Sequence, residues 1–349
     1  MLKEGEVQGS DVAAHSAGVL DIRTNILADT DALYLTAIDK YGHELWRWTF
    51  PVNKLNQQTE QLSPLSSRPT YTETENDLTV KANKRTFIFS KKDGQLKGVS
   101  VDNRKISFAN GPRFIGARRA DRSLDQFYNH DDEKAKEKDR TYSEFPDAAV
   151  FTKLDVKQDG GDLIVTANYK LGNLDKAQWT INPSGDLALD YTYNFSGVVD
   201  LMGIRFDYPE DQVISKRWLG AGPYRVWQNR IHGTQYDVWE NDYNDPIPGE
   251  TFTYPEFKGY FGDVSWMNIQ TKEGTISLTN ETPDAYIGVY QPRDGRDRLL
   301  YTLPESGISV LNVIPPVRNK VNSTDLCGPS SQPKWVNGPQ TGRVIFRFM

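Results

Sequence analysis

Short runs in which apolar and polar residues alternate recur along the chain, and Gly-bearing turns separate them. Asp93-Gly94 lies between two such runs, and Asp159-Gly160-Gly161 and Pro183-Ser184-Gly185 repeat the arrangement. A period of two is typical of strands that bury one face, and Asp-Gly between two of them predicts an antiparallel hairpin. The sequence contains neither a strand–helix alternation nor a long amphipathic helix. We therefore predict an all-β protein built as a large antiparallel sandwich.

A polar stretch at 52–70, rich in Ser and Gln and without periodicity, divides the chain into a short first block and a long remainder. The first block, residues 1–51, offers about three strands, two of them separated by a turn at Tyr41-Gly42, and is too small to bury a core of its own. We interpret 1–51 as the end of a β domain that begins upstream, 52–70 as a linker and 71–349 as the main β domain. The alternative is that 1–51 adds a layer to the main domain.

Composition argues against several classes of protein. The chain has 41 Lys and Arg residues and 47 acidic residues, which gives a net charge of −6. No cluster of basic residues indicates a nucleic-acid-binding surface. The apolar runs are much shorter than the roughly 18 residues that span a bilayer, and the first residues lack the apolar segment of a signal peptide. Cys327 is the single cysteine, so neither an internal disulfide nor a Cys-ligated zinc is possible. We expect no cofactor and no metal.

The segment 217–266 is unusually aromatic, with four Trp and five Tyr among charged, Gly and Pro residues. Such a mixture suits sugars, because flat rings cover the C–H face of a pyranose while polar groups bond its hydroxyls. Trp218 and Trp266, on apparent strands, are expected in the core. For Trp227 and Trp239 core packing stays an alternative, as does an ion pair for Glu256. The predicted carbohydrate-binding residues are Tyr224, Trp227, Arg230, His232, Trp239, Tyr254, Glu256, Lys258 and, in a later Gly/Pro/Ser-rich loop, Trp335.

Other chemistries find less support. Glu240, Asp242 and Asn244 are spaced as in a calcium loop, but the Gly and closing Glu of an EF-hand are absent, which favours an exposed acidic loop. Asn280-Glu281 resembles the pair that ends a barrel strand in retaining glycosidases, yet no (β/α)₈ pattern surrounds it. Glycoside hydrolysis needs two carboxyl groups about 5 to 10 Å apart. We do not expect Glu281 to be one of them.

Two motifs resemble those of the C-terminal domain of family 2 glycoside hydrolases of the β-galactosidase type. "WLGAGPYRVWQNR", 218–230, is similar to that domain's W-x-G-x-G-P signature with its following Arg. "YPEFKGYFGDVSW", 254–266, is similar to its P-[QE]-x-x-G-x-x-x-[DE]-[VL]-x-W segment. The resemblance covers nearly the whole chain. It implies a galactose-mutarotase-like supersandwich over 71–349, preceded at 1–51 by the end of an immunoglobulin-like domain.

In that family both catalytic glutamates lie in an upstream TIM barrel. The resemblance therefore implies a non-catalytic module that shapes a sugar pocket for a catalytic domain of the parent chain, and it implies export to the periplasm or the medium. The family's E-G-T-W segment, whose Trp stacks on galactose, is replaced by "ESGISVLNV" at 305–313, and its R-A-P-x-D-N-D by "RRADRSLDQ" at 118–126. Both departures leave the sugar undefined.

Two other functions stay open at this point. One is a free-standing mutarotase-like epimerase with His232 and Glu256 as the acid–base pair. The other is a purely structural or oligomerisation domain.

Overall fold

A computed structural model of the chain describes residues 3–9, 11–22, 30–52, 67–119, 142–242, 259–289, 304–316 and 328–349. Within these ranges the chain forms strands and two short 3-10 turns, and all strand pairs in the sheets are antiparallel. This architecture confirms the prediction of an all-β antiparallel sandwich. The strands are β1 Ala32–Ile38, β2 Glu44–Pro51, β3 Thr70–Glu73, β4 Asp77–Ala82, β5 Arg85–Ser90, β6 Leu96–Val101, β7 Arg104–Ile106, β8 Ala109–Arg119, β9 Tyr142–Glu144, β10 Val150–Asp159, β11 Asp162–Lys170, β12 Leu174–Ile181, β13 Leu187–Val199, β14 Leu201–Asp207, β15 Val213–Gly222, β16 Gln235–Asp242, β17 Trp266–Thr271, β18 Gly274–Asn280, β19 Tyr286–Val289, β20 Ile308–Val313 and β21 Lys334–Phe348.

The strands form two large sheets and a separate hairpin. One sheet has nine strands in the order β10-β11-β12-β13-β21-β18-β17-β15-β16. The other has ten: eight in the order β19-β20-β14-β8-β6-β5-β4-β3, with β7 paired to β6 and β9 paired to β8. The last strand, β21, is central to the nine-stranded sheet, between β13 and β18. Sequence-distant strands therefore meet in the middle of the fold, and the resulting core depends on long-range pairing.

The predicted hairpins are present, and the reason is local. Gly94, Gly160 and Gly185 have φ values of +73°, +59° and +81° in the turns that follow β5, β10 and β12. These left-handed conformations cost little for glycine because it has no Cβ. The turn at Tyr41-Gly42 likewise connects β1 to β2, with Gly42 at φ +86°.

The main core lies between the two sheets and is rich in aromatic rings. Alternate residues of each strand point inward, as the period of two predicts. Phe108 stacks on Phe206 at 4.8 Å, and Phe206 meets Phe346 edge to face at 5.3 Å, which joins the ten-stranded sheet to the nine-stranded one. Trp179 and Trp218 are fully buried in this same core. Burial of rings this large supplies most of the stabilisation of such a sandwich.

The hairpin β1–β2 has one apolar side and one polar side. Its apolar side consists of cross-strand pairs, among them Leu35 with Trp48, and the rings of Trp46, Trp48 and Phe50 are about half exposed there. On the other side Tyr34 bonds Asp237 on β16. Residues 23–29 of the first block and residues 53–66 of the predicted linker lie outside the described residues. The domain boundaries at 51 and 70 therefore stay predictions.

Candidate functional site at the end of strand β15

Trp218, the first residue of the W-x-G-x-G-P motif, is a core residue. It is fully buried, meets Phe261 edge to face at 4.9 Å, and its indole N–H donates to the carbonyl of Ala221 at 3.1 Å. Trp266 is fully buried as well. Both positions confirm the prediction made from their strand context.

Gly222 ends β15 at a point of close contact. A Cβ on Gly222 would lie 2.4 Å from the Trp239 indole, so the ring crosses the backbone only because this residue is glycine. Trp239 pairs with Trp218 across the sheet, donates its indole N–H to the carbonyl of Gln235 at 3.1 Å and packs partly buried on the main core. Trp239, on the edge strand β16, is therefore half-buried and shares in the packing of the main core.

After Gly222 the chain crosses to the outward side of the ten-stranded sheet. There Val226 and Tyr260 exchange two backbone hydrogen bonds of 2.8 Å. A Cβ on Gly259 would lie 1.8 Å from the carbonyl oxygen of Val226, so the two segments approach as closely as backbone allows. The pairing of Val226 with Tyr260 thereby joins the two sequence motifs into one structural unit.

Trp227 fills a second, smaller core under this unit. Its side chain is 2% exposed and meets Tyr260 edge to face at 5.8 Å. Of the two roles that the sequence left open for Trp227, the structure shows core packing, because a sugar cannot reach a ring that is covered on both faces. Apolar residues on the outward faces of β8, β14 and β20 complete this outer core: Ile115, Ala117, Leu201 and Leu311, with Ile314.

The turn that follows brings three predicted residues together. Arg230 donates its backbone N–H to the carbonyl of Trp227 at 2.8 Å, which closes the turn. The hydroxyl of Tyr224 donates to the carbonyl of His232 at 3.1 Å. Tyr224 is half-buried, whereas Arg230 and His232 are exposed. The turn thus carries the exposed side chains of Arg230 and His232, two residues apart, and the half-buried phenol of Tyr224.

Two residues that the sequence analysis missed hold this turn in place. The Gln228 side-chain amide, buried, donates to the carbonyls of Ser330 at 3.0 Å and Gln332 at 2.7 Å, and its backbone N–H donates to Pro315 at 3.0 Å. The amide of Asn229 donates to the Ser331 hydroxyl at 3.2 Å. These bonds tie the turn to the segment that leads into β21.

The remaining predicted residues are not in this turn. Trp335 lies at the start of β21 and is 71% exposed. Tyr254, Glu256 and Lys258 lie outside the described residues, as does Asn244. Glu240 and Asp242 are exposed at alternate positions of β16, and the described part of the chain holds no group of three or more potential metal ligands. Glu281 forms an ion pair with Arg343 at 2.9 Å, in line with a structural role.

Residues 81–315 match the model of the beta galactosidase small chain family. The match spans about two thirds of the chain and includes both motifs and the outer core. The chain belongs to this family. None of the curated protein sequences matches it.

Solved structures similar to this β-galactosidase small-chain protein include a galactose 1-epimerase from Lactobacillus acidophilus NCFM. It is 10% identical, with 81% of this chain and 99% of that chain covered and a TM-score of 0.45. A GalM/aldose epimerase homologue from C. elegans is 7% identical, with 80% and 99% covered and a TM-score of 0.37. Both TM-scores are below 0.5, and family membership depends on the sequence match alone.

Among the described residues, no helix has the length and apolarity to cross a membrane.

Proposed function

We propose that this chain is a non-catalytic, carbohydrate-associated module of a β-galactosidase-type protein, and that its 224–232 turn contributes polar contacts to a sugar site. The observation that carries the proposal is the family match over 81–315, whose two motifs meet at this turn. In this proposal a catalytic domain of the parent protein supplies the bond-breaking carboxylates.

The chemistry of the turn suits a sugar rim. Arg230 and His232 place hydrogen-bonding groups in solvent, and Tyr224 adds a phenol ring beside them. Saccharide recognition needs a few polar groups held in fixed positions. The buried Gln228 amide and the outer core beneath Trp227 give the turn that rigidity.

The test compares turnover and binding in the same preparation. The chain alone should not hydrolyse nitrophenyl β-galactoside, while calorimetry should detect galactose or lactose binding. Arg230→Ala and His232→Ala should each weaken that binding several-fold. Arg104→Ala, an exposed arginine on β7 at a distance in sequence from the turn, is the matched control and should bind as the unaltered chain does.

Three results would reject the proposal. Hydrolysis by the chain alone would show that it has its own catalytic pair. Binding that is absent, or unchanged in both turn variants, would favour a purely structural module. Catalysed exchange of galactose anomers that is lost in Glu256→Gln would identify an epimerase instead.

Export of the parent protein stays a prediction, which fractionation of cells would test.

A further inference from the structure

The outward side of the strand pair β13–β21 carries four successive pairs of neutral side chains, followed by one charged pair. The strands run antiparallel in register over 13 residue pairs at the centre of the nine-stranded sheet. From Trp335 to Arg343 the outward positions of β21 extend over roughly 27 Å, at about 3.4 Å per residue. The outward pairs are Val198 with Trp335, Ser196 with Asn337, Asn194 with Pro339, Thr192 with Thr341, and Asp190 with Arg343.

This row, which we call the β13–β21 strip, differs in charge from the edge of its own sheet. The edge strand β10 exposes three charged residues, Lys153, Asp155 and Lys157, at alternate positions. In the strip only the last pair is charged, and there Arg343 lies between the carboxylates of Asp190 and Glu281.

Trp335 marks one end of the strip with a large exposed ring. At 71% it is the most exposed of the Trp side chains in the described part of the chain. The Ser196 hydroxyl donates to the Asn337 side-chain oxygen at 2.8 Å, which orients the Asn337 amide N–H groups away from Ser196. Beyond it follow the apolar ring of Pro339 and the paired hydroxyls of Thr192 and Thr341.

We infer that the β13–β21 strip binds an extended, neutral polysaccharide. An exposed indole stacks on the apolar face of one pyranose, and amide and hydroxyl groups at a regular spacing bond hydroxyls of the following sugars. The four pairs from Val198–Trp335 to Thr192–Thr341 carry no charge, which suits a ligand without carboxylate or sulfate groups. This inference does not depend on the function proposed for the 224–232 turn.

Affinity electrophoresis tests the inference. The chain should be retarded in native gels that contain at least one of four neutral polysaccharides: β-1,4-galactan, galactomannan, xyloglucan or mixed-linkage β-glucan. Polygalacturonate, a charged polymer, should retard it much less. Trp335→Ala should weaken the retardation at least about tenfold, and Asn337→Ala and Thr341→Ala should each weaken it about threefold. Because these side chains are exposed, the variants should keep the unfolding midpoint of the unaltered chain.

Trp48→Ala, which removes a half-exposed indole from the hairpin, is the matched control and should be retarded like the unaltered chain. No retardation in any of the four gels would overturn the inference. An equal loss in Trp48→Ala and Trp335→Ala would also overturn it, as would a change of oligomeric state in Trp335→Ala without a change in retardation. Calorimetry with galactose separates the two surfaces, because strip variants should leave binding at the turn unchanged.

Discussion

Arg347 and Asp186 form a two-pronged ion pair, in which the guanidinium Nε and Nη2 lie 2.6 and 2.7 Å from the two carboxylate oxygens. Both side chains are only 16% exposed. The pair joins β21, the last strand, to the residue that precedes β13. A buried charge that loses its partner is costly, so the pair should matter more than the surface ion pairs of this chain.

Replacement of Asp186 should therefore destabilise the sandwich. We expect Asp186→Asn to lower the free energy of unfolding by on the order of 2–3 kcal/mol, because the largely buried Arg347 loses its two charge-assisted bonds to the carboxylate. Urea denaturation followed by tryptophan fluorescence measures the change. The control is Asp159→Asn, whose ion pair with Lys157 at 3.4 Å is well exposed and should contribute no more than about 0.5 kcal/mol. Similar losses in both variants would contradict the prediction.

Glu273 should make stability depend on acid pH. Burial alone raises its pKa, but hydrogen bonds from the Ser107 hydroxyl and N–H and from the Tyr208 hydroxyl outweigh burial, and the pKa is lowered. A lowered pKa in the folded state means that the stabilisation is present above the unfolded pKa of about 4.3 and is lost as pH falls through the folded value. The folded state thus loses this contribution only in acid.

We expect Glu273→Gln to flatten the acid limb of the stability curve. The fall in unfolding free energy between about pH 5 and about pH 3 should be smaller in this variant than in the unaltered chain. Urea denaturation at each pH gives the comparison. Glu240→Gln, at an exposed position of β16, should keep the original slope. If Glu273→Gln also keeps it, the hydrogen bonds of Glu273 do not stabilise its ionised form.

Gly259 should tolerate no side chain. Its missing Cβ would fall 1.8 Å from the carbonyl oxygen of Val226, a backbone atom that cannot move without breaking the Val226–Tyr260 bridge. We expect Gly259→Ala to cost at least about 1–3 kcal/mol and to weaken sugar binding at the turn. Gly98→Ala on β6, where a Cβ would meet nothing within 4 Å, should change stability little. Thermal unfolding and near-UV circular dichroism of both variants give the test.

The strands and hairpins could be predicted because their signals are local. Gly94 and Gly160 supply left-handed turn conformations next to alternating runs, and no distant residue is needed to recognise them. The burial of Trp218 could be predicted in the same way, since its strand alternates. These features depend on neighbours one to four residues away, which the sequence displays directly.

The burial of the Trp227 side chain could not be predicted in this way. Its burial depends on the pairing of Val226 with Tyr260 and on Leu311 from β20, contacts that the order of residues does not reveal. Gln228 was missed for a related reason. Its partners are backbone carbonyls 102 and 104 residues away, and a carbonyl leaves no mark on the sequence because every residue has one.

Tyr34 should hold the β1–β2 hairpin to the main sheet. Burial, together with the hydrogen bond to the Asp237 carboxylate, raises its pKa to about 12. The neutral hydroxyl therefore donates at any ordinary pH. We expect Tyr34→Phe to speed amide hydrogen exchange in β1 and β2 about fivefold, as loss of a partly exposed bond worth about 1 kcal/mol implies, with little change in β13 or β21. Tyr41→Phe, which removes an exposed hydroxyl from the turn of the same hairpin, should leave exchange unaltered. Equal exchange in the two variants would show that the apolar side of the hairpin, and not Tyr34, determines its order.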